Sequence, residues 1–211
     1  MKSYIDVTVP FEDGMMCFPT DPQCSIKPHW SIKNGDLVNL SVLDFGSHTG
    51  THIDAPNHFV DSGKTVDQLD IRCFIGKAKV FDFSGKERCI DIGDVEGLNI
   101  GKGDIVLFKT TNSALMRAQI FREDFVYITP AVARWLADKK IATLGFDFLS
   151  VEEFGGGEGY GAHYALLGAG IVIIEGLDLT GIKAGEYEII SLPMLIKGGN
   201  GSPIRVLLKE L

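Results

Sequence analysis

The run His48-Thr49-Gly50-Thr51-His52-Ile53-Asp54-Ala55-Pro56-Asn57-His58 gathers three of the chain's five histidines and an aspartate. His48, His52, Asp54 and His58 all fall on even positions, so an extended backbone, whose side chains alternate between faces, would aim all four to one side. A helix serves less well: at about 100° per residue His48 and His52 stack one turn apart while Asp54 lies well round the cylinder. Gly50 and Pro56 also oppose a continuous helix. The spacing therefore predicts a strand that enters a turn at Pro56. Imidazole nitrogen and carboxylate oxygen are ligands for Zn²⁺, Mn²⁺ or Fe²⁺, and two histidines with one carboxylate leave positions free for water and substrate. The competing reading is three unrelated histidines, one capping, one paired with Asp54 and one exposed.

Around this run strands outnumber helices. Ile5, Val7 and Val9 alternate with Asp6 and Thr8 as a half-buried strand should, and Asp36 to Phe45 reads as a strand feeding the histidine run. Further strands are predicted at Gly76 to Phe83, Asp104 to Lys109, Thr143 to Phe148, Ile171 to Glu175, Glu186 to Leu192 and Pro203 to Lys209. The clearest helix is Thr129 to Lys140, with Thr129 as cap, Pro130 in the first turn and Val132, Trp135 and Leu136 as an apolar stripe. A shorter helix is expected at His163 to Leu167. Strands that do not alternate regularly with helices give an α+β, or β-rich α/β, class, and no linker or internal repeat divides residues 1–211, so one domain is expected.

Composition excludes more than it selects. With 211 residues, 45% of them hydrophobic, the chain has enough apolar side chains for a substantial core. A net charge of −8 offers no electrostatic footprint for nucleic acid. The N-terminal Met1-Lys2-Ser3-Tyr4-Ile5-Asp6 carries charges where a signal peptide needs an apolar core, and no segment approaches the roughly 20 apolar residues of a membrane span. Cys17, Cys24, Cys73 and Cys89 form no Cys-x-x-Cys pair, which argues against a thiolate zinc site and reads as reduced thiols in a cytoplasm. Neither glycine-rich stretch is followed by Lys-Ser/Thr, so a phosphate-binding loop is not expected.

Two further acid and imidazole positions stand out. In Ile171-Val172-Ile173-Ile174-Glu175-Gly176 four aliphatics predict a buried strand, and an acid at its end needs a cationic partner, either a metal ion or a Lys or Arg. His163 follows the glycine-rich run Gly155 to Gly161 and is equally a ligand or an ordinary residue at a helix start. That run is either a mobile lid or a solvent loop.

The eleven-residue run resembles the His-x-Gly-Thr-His-x-Asp-Ala-Pro-x-His signature of the cyclase family of metal-dependent hydrolases, which includes bacterial kynurenine formamidases and isatin hydrolases. His48, Gly50, Thr51, His52, Asp54, Ala55, Pro56 and His58 match every fixed position, and Gly145-Phe146-Asp147, His163, Glu175 and Ser202-Pro203-Ile204-Arg205 match later landmarks. The resemblance implies the swivelling β/β/α fold and a divalent metal, zinc first and manganese second, as one or two ions per chain. His48, His52, Asp54, His163 and Glu175 are the implied ligands, with Asp54 and Glu175 able to bridge two ions. His58 is the implied general acid/base, with a fourth-ligand role as the alternative. Thr51, on the opposite parity, is expected to brace a neighbour of the ligands.

The implied chemistry is attack of a metal-bound hydroxide on the carbonyl of a small formamide or cyclic amide. An N-formylkynurenine-like arylformamide and an isatin-type lactam are the two substrate readings, and a non-catalytic metal-binding protein of the same fold is the alternative from another class. The segment Met16 to Pro22 carries Phe18 where kynurenine formamidases carry Trp, and Thr20 where they carry Gly, so Phe18 is the candidate substrate-binding ring. The resemblance also implies a homodimer or higher homo-oligomer.

Overall fold

In this computed structural model residues 3–157 and 159–211 are described. The expectations for the N-terminal segment and for the glycine run touch Met1, Lys2 and Glu158, which lie outside that set. In chain order the elements are β1 (Ile5–Asp6), β2 (Ser25–Trp30), β3 (Leu40–Asp44), β4 (His52–Asp54), β5 (Ile75–Asp82), β6 (Cys89–Ile90), α1 (Ile92–Val95), β7 (Ile105–Lys109), α2 (Asn112–Ala118), β8 (Tyr127–Ile128), α3 (Pro130–Lys139), β9 (Thr143–Phe146), α4 (Gly161–Gly168), β10 (Val172–Glu175), β11 (Gly185–Ile190), β12 (Gly201–Pro203) and β13 (Leu207–Glu210).

Nine strands form one sheet in the order β1-β13-β11-β5-β7-β9-β10-β4-β12. The fold is α+β, as expected. Strands β5, β7, β9 and β10 run parallel, and β7, β9 and β10 carry buried residues at nearly every position, the pattern of strands covered on both faces. One face packs on the core that includes Phe108, Phe146, Leu136 and Leu166, the other on Ile53, Leu107, Ile174 and Leu208. Helix α3 forms where expected: the Thr129 hydroxyl accepts from Val132 N–H at 3.5 Å, Pro130 sits in the first turn, and Val132, Ala133 and Leu136 are buried.

The predicted strand Pro203 to Lys209 is two strands. β12 pairs with β4 at one end of the sheet order, while β13 pairs with β1 and β11 near the other. Only residues 204–206 separate them, so the sheet must curl until its ends nearly meet. Backbone bonds close the seam: Ile204 N–H donates to Thr51 O at 3.0 Å, Val7 N–H to Val206 O at 3.0 Å and Asp178 N–H to Val7 O at 2.9 Å. Alternation in the sequence marks an extended segment and does not reveal that it changes partners midway.

The predicted strand Asp36 to Phe45 shortens to β3, which pairs with β2 in a separate two-stranded hairpin that no reading of the sequence anticipated. Helix α4 begins at Gly161, before the expected His163, and α2 is an addition. All four cysteines are free. No helix among the described residues is long and apolar enough to cross a membrane.

Candidate functional site

The strand predicted from His48 to Pro56 is a correction. Only His52–Asp54 is strand, and His48 to Thr51 form a turn in which Gly50 has φ +66°. An L-residue avoids that conformation, so the glycine bends the chain before the strand begins. The turn at Pro56 does occur, as a 3₁₀ turn over Pro56–His58. His48 and His58 therefore reach the site from loops on either side of β4, and not by even-position parity.

Within β4 the parity argument works. His52 and Asp54 share one face, and the register sets His52 directly opposite Glu175 on β10. His52 Nε2 lies 3.4 Å from both Asp54 Oδ1 and Glu175 Oε2, while its Nδ1 is 2.9 Å from the Gly50 carbonyl. His48 Nδ1 is 2.7 Å from Asp54 Oδ1, with Nε2 3.2 Å from Asn200 Oδ1. From α4, His163 Nε2 approaches Glu175 Oε1 at 3.4 Å and Asp54 Oδ2 at 3.8 Å. His58 stacks on His48, ring centroids 3.9 Å apart. The structure thus brings together His48, His52, Asp54, His58, His163 and Glu175, and among the described residues Glu175 pairs with imidazoles and not with the lysine or arginine that a plain strand-end acid would take.

Two fully enclosed carboxylates shape the electrostatics. Burial alone would raise Asp54, but the charges and hydrogen bonds of His48 and His52 outweigh it and hold the carboxyl well below 3.8. Burial and Asp54 raise Glu175, while hydrogen bonds from His163 and His52 bring the balance below 4.5. The same contacts act reciprocally. Burial works against protonation of His52 and His163, yet their carboxylate partners push both up to about 10. His58 moves the other way: burial, with the neighbouring His48 adding to it, lowers it below 6.5 against the opposing pull of Asp54 and Glu175.

A divalent cation fits this donor set. His52, Asp54 and Glu175 offer ligand atoms all within 4.8 Å of one another, as do His48, Asp54 and His58. Asp54 Oδ2 is a buried oxygen with no hydrogen-bond partner among the described residues. Buried carboxylate oxygens are almost always paired, and a cation among these atoms would satisfy it.

Supporting contacts were not legible in the sequence. Glu152, buried, accepts from Ala162 N–H and His163 N–H, and its Oε2 accepts from His163 Nδ1–H at 3.0 Å, which leaves His163 Nε2 facing the carboxylates. Glu152 stands beside Glu153 on an irregular segment, and nothing in the sequence separates the two. Val151 N–H donates to Glu175 Oε1 at 2.7 Å. Thr51 points away from the ligand cluster: its hydroxyl donates to Gly176 O at 2.6 Å and accepts from Val9 N–H at 2.9 Å, bracing the backbone beside Glu175. Gly176 has φ +71°, and a Cβ there would overlap the Gly50 carbonyl.

The cluster floors a cavity of about 310 Å³ whose walls include Phe18, Asp21, Phe59, Leu149, Ser150 and Tyr160. Phe18 lines it and also packs on Phe121 and Phe154, so it is both wall and core. Burial pushes the Asp21 carboxyl up, with His48 and His52 pulling the other way. A larger groove of about 580 Å³ runs along Thr8 to Phe11 and Leu192 to Met194; none of the clustered histidines and carboxylates lines it, and its charged pair Asp6–Arg205 is bonded to itself.

Fold and site together define a curled-sheet α+β protein with a buried imidazole–carboxylate centre whose donor set fits a divalent cation. The cyclase family model matches residues 5–153, and the chain belongs to that family. It is 32% identical over 210 residues to a kynurenine formamidase of Bacillus mycoides (strain KBAB4), covering 100% of this chain and 99% of that protein. Among solved structures it is similar to one described as a potential metal-dependent hydrolase with cyclase activity, at 36% identity and a TM-score of 0.87, covering 100% and 99% of the two chains. An isatin hydrolase A from Labrenzia aggregata shares the fold, with a TM-score of 0.84 at 24% identity over 99% of this chain and 93% of the other.

Proposed function

We propose that this protein is a metal-dependent amidohydrolase acting on a small arylformamide, and that residues 1–211 work as one unit. The observation that carries the reading is the convergence of two buried carboxylates and three imidazoles around an unpartnered Asp54 Oδ2, at the floor of a cavity walled by aromatic rings. The names of the relatives at 32% and 36% identity support the same class.

His48, His52, Asp54, His163 and Glu175 would hold the cation, for which zinc is the first choice on donor chemistry. When bound, such an ion acidifies water and polarises a carbonyl. Holding it requires neutral imidazole nitrogens, so cation binding displaces the protons that His52 and His163 carry in its absence. Glu152 keeps His163 Nδ1 occupied, so that Nε2 is the nitrogen presented. His58, lowered below 6.5, is neutral at neutral pH, the form that accepts a proton from the attacking water and returns it to the departing amine nitrogen. Phe18, Phe59 and Tyr160 offer faces for an aryl group. A formanilide combines the amide and the aryl group that this floor and these walls would take, and N-formylkynurenine is one member of that class.

A second copy of the chain is the proposed partner. Trp30, Ile32, Leu37, Val38, Leu40, Val42 and Leu43 are exposed large apolar residues crowded on or beside the β2–β3 hairpin, and an isolated hairpin is marginal without cover. Sedimentation would then give a dimer or larger that Leu43→Glu weakens. The free thiols suit a reducing compartment such as a cytoplasm.

The test of the activity is to strip the protein of metal, reload it with Zn²⁺ or Mn²⁺ and assay formanilides. Turnover is expected to depend on the metal, with His58→Ala lowering kcat/KM by about 10²- to 10⁴-fold. Absence of turnover on every amide, or a His58→Ala rate equal to wild type, would sink the reading.

A further inference from the structure

An imidazole has two ring nitrogens, and the one that meets a cation must carry no proton. Which of them is free is set by what the other touches. His52 Nδ1 lies 2.9 Å from the Gly50 carbonyl, and His163 Nδ1 lies 3.0 Å from Glu152 Oε2. A carbonyl and a carboxylate accept, so both Nδ1 atoms are N–H, and Nε2 is the nitrogen turned toward Asp54 and Glu175. His48 is arranged the other way round. Its Nδ1 faces Asp54 Oδ1 at 2.7 Å, and its Nε2 lies 3.2 Å from the carboxamide oxygen of Asn200.

Backbone contacts deliver Asn200 to this place. It immediately precedes β12, whose pairing with β4 sets Gly201 opposite Asp54. The Asn200 carbonyl accepts from Ala55 N–H at 2.9 Å, and the Gly199 carbonyl accepts from Val66 N–H at 2.8 Å. The strand then passes so close beneath the imidazole that a Cβ on Gly201 would overlap His48 Cε1. The Ser47 hydroxyl donates to Asn200 Oδ1 at 2.9 Å, so that oxygen stands between a hydroxyl and a ring nitrogen. An amide oxygen offers lone pairs and no hydrogen, which makes His48 Nε2 the protonated nitrogen and leaves Nδ1 for a cation beside Asp54. Turning the ring by half a revolution would put carbon where each nitrogen now stands, and both contacts would be lost.

We propose that Asn200 is a positioning residue that makes His48 meet the cation through Nδ1, whereas His52 and His163 meet it through Nε2. The inference rests on the metal-dependent reading of the cluster and not on the identity of the amide. It also ranks the ligands. A main-chain carbonyl and a buried carboxylate hold His52 and His163, while a neutral, exposed side chain holds the half-buried His48. His48 is therefore the ligand whose hold a single surface substitution loosens without disturbing the core.

The experiment uses the full chain with ¹⁵N-labelled histidine, loaded with zinc, as wild type, Asn200→Ala and Asn200→Asp. Long-range ¹H–¹⁵N correlation spectra show which nitrogen of each ring is protonated and which is bound to metal. In wild type, His48, identified by the signals that vanish in His48→Gln, is expected to bind zinc through Nδ1, with Nε2 protonated; His52 and His163 are expected to show the reverse. Competition with a zinc chelator should place Asn200→Ala about 10- to 100-fold below wild type in affinity, the usual cost of losing the outer partner of a ligating histidine. Asn200→Asp keeps an acceptor oxygen and should bind zinc at least as tightly as wild type. The contacts that anchor residues 199 and 200 are main-chain bonds, so metal-free Asn200→Ala should melt with wild type. A role in folding alone would instead lower that melting temperature and leave zinc affinity unchanged. Zinc bound to His48 through Nε2, or an Asn200→Ala affinity within about twofold of wild type, would overturn the positioning role and leave the metal centre standing. Folded wild type that takes up no zinc would overturn both.

Discussion

Glu152 gives the sharpest link between a hydrogen-bond pattern and a measurable property, so Glu152→Gln is the substitution to make first. The wild-type carboxylate accepts from Ala162 N–H, from His163 N–H at 3.0 Å and from His163 Nδ1–H at 3.0 Å, all in a buried setting. Hydrogen bonds to a charged group contribute about 1.5–3 kcal/mol and neutral ones about 0.5–1.5, so removing the charge forfeits roughly 1 kcal/mol at each of three donors. Gln also turns one acceptor oxygen into a donor that faces N–H groups. The expected loss is about 3 kcal/mol, which for a chain of this size lowers Tm by roughly 6–12 °C. That much any helix cap would do. The specific expectation is that metal affinity falls by about 10- to 100-fold, because His163 is no longer held with Nε2 toward Asp54 and Glu175. Thermal unfolding of the metal-free protein reads the first effect and competition with a zinc chelator reads the second. A variant with the lowered Tm but zinc affinity within twofold of wild type would refute the positioning role and leave Glu152 as a cap of α4.

Three other expectations follow from the same geometry. Gly176→Ala places a Cβ at φ +71° against the Gly50 carbonyl, so backbone strain of about 1–2 kcal/mol joins an overlap of similar size, and a urea midpoint equal to wild type would contradict the close approach. Asp147, fully buried, accepts from the backbone and hydroxyl groups of both Thr110 and Ser113; these bonds offset only part of the effect of burial, and the carboxyl still sits up at about 6. Asp147→Ala orphans those four donors and should cost about 4 kcal/mol or more, read by chemical unfolding, and a loss below about 1 kcal/mol would contradict it. In the metal-free protein, stabilisation from His52 and His163 is full below their ordinary 6.5 and is lost as pH rises through about 10, whereas that from Asp54 and Glu175 is present above about 4.5 and lost in acid. The metal-free melting temperature should therefore peak between roughly pH 4.5 and 6.5 and decline toward pH 10, and a curve rising from pH 7 to 10 would exclude protonated imidazoles in the empty cluster.

Much of the site was readable because its ligand types are rare and its spacing tight. His52 and Asp54 obey strand parity, Glu175 closes a run of four aliphatics, and α3 has its cap and first-turn proline written locally. What escaped the sequence depends on distance in space. Gly50 turns the chain so that His48 reaches Asp54 from a loop, and β12 and β13 divide one extended segment between opposite ends of a sheet that curls shut. Glu152 reaches His163 across a glycine-rich stretch, and Asp21 enters the cavity from the same Met16 to Pro22 segment as Phe18. Pairing partners of this kind are set by tertiary packing, which local pattern does not encode.

The central claim is that the cluster around Asp54 holds a divalent cation, and elemental analysis after controlled loading and exhaustive dialysis tests it most directly. The account predicts at least one equivalent of tightly held zinc or manganese per chain, reduced by Asp54→Asn. Less than one equivalent in the folded wild-type protein, or an amount that Asp54→Asn leaves unchanged, would contradict it.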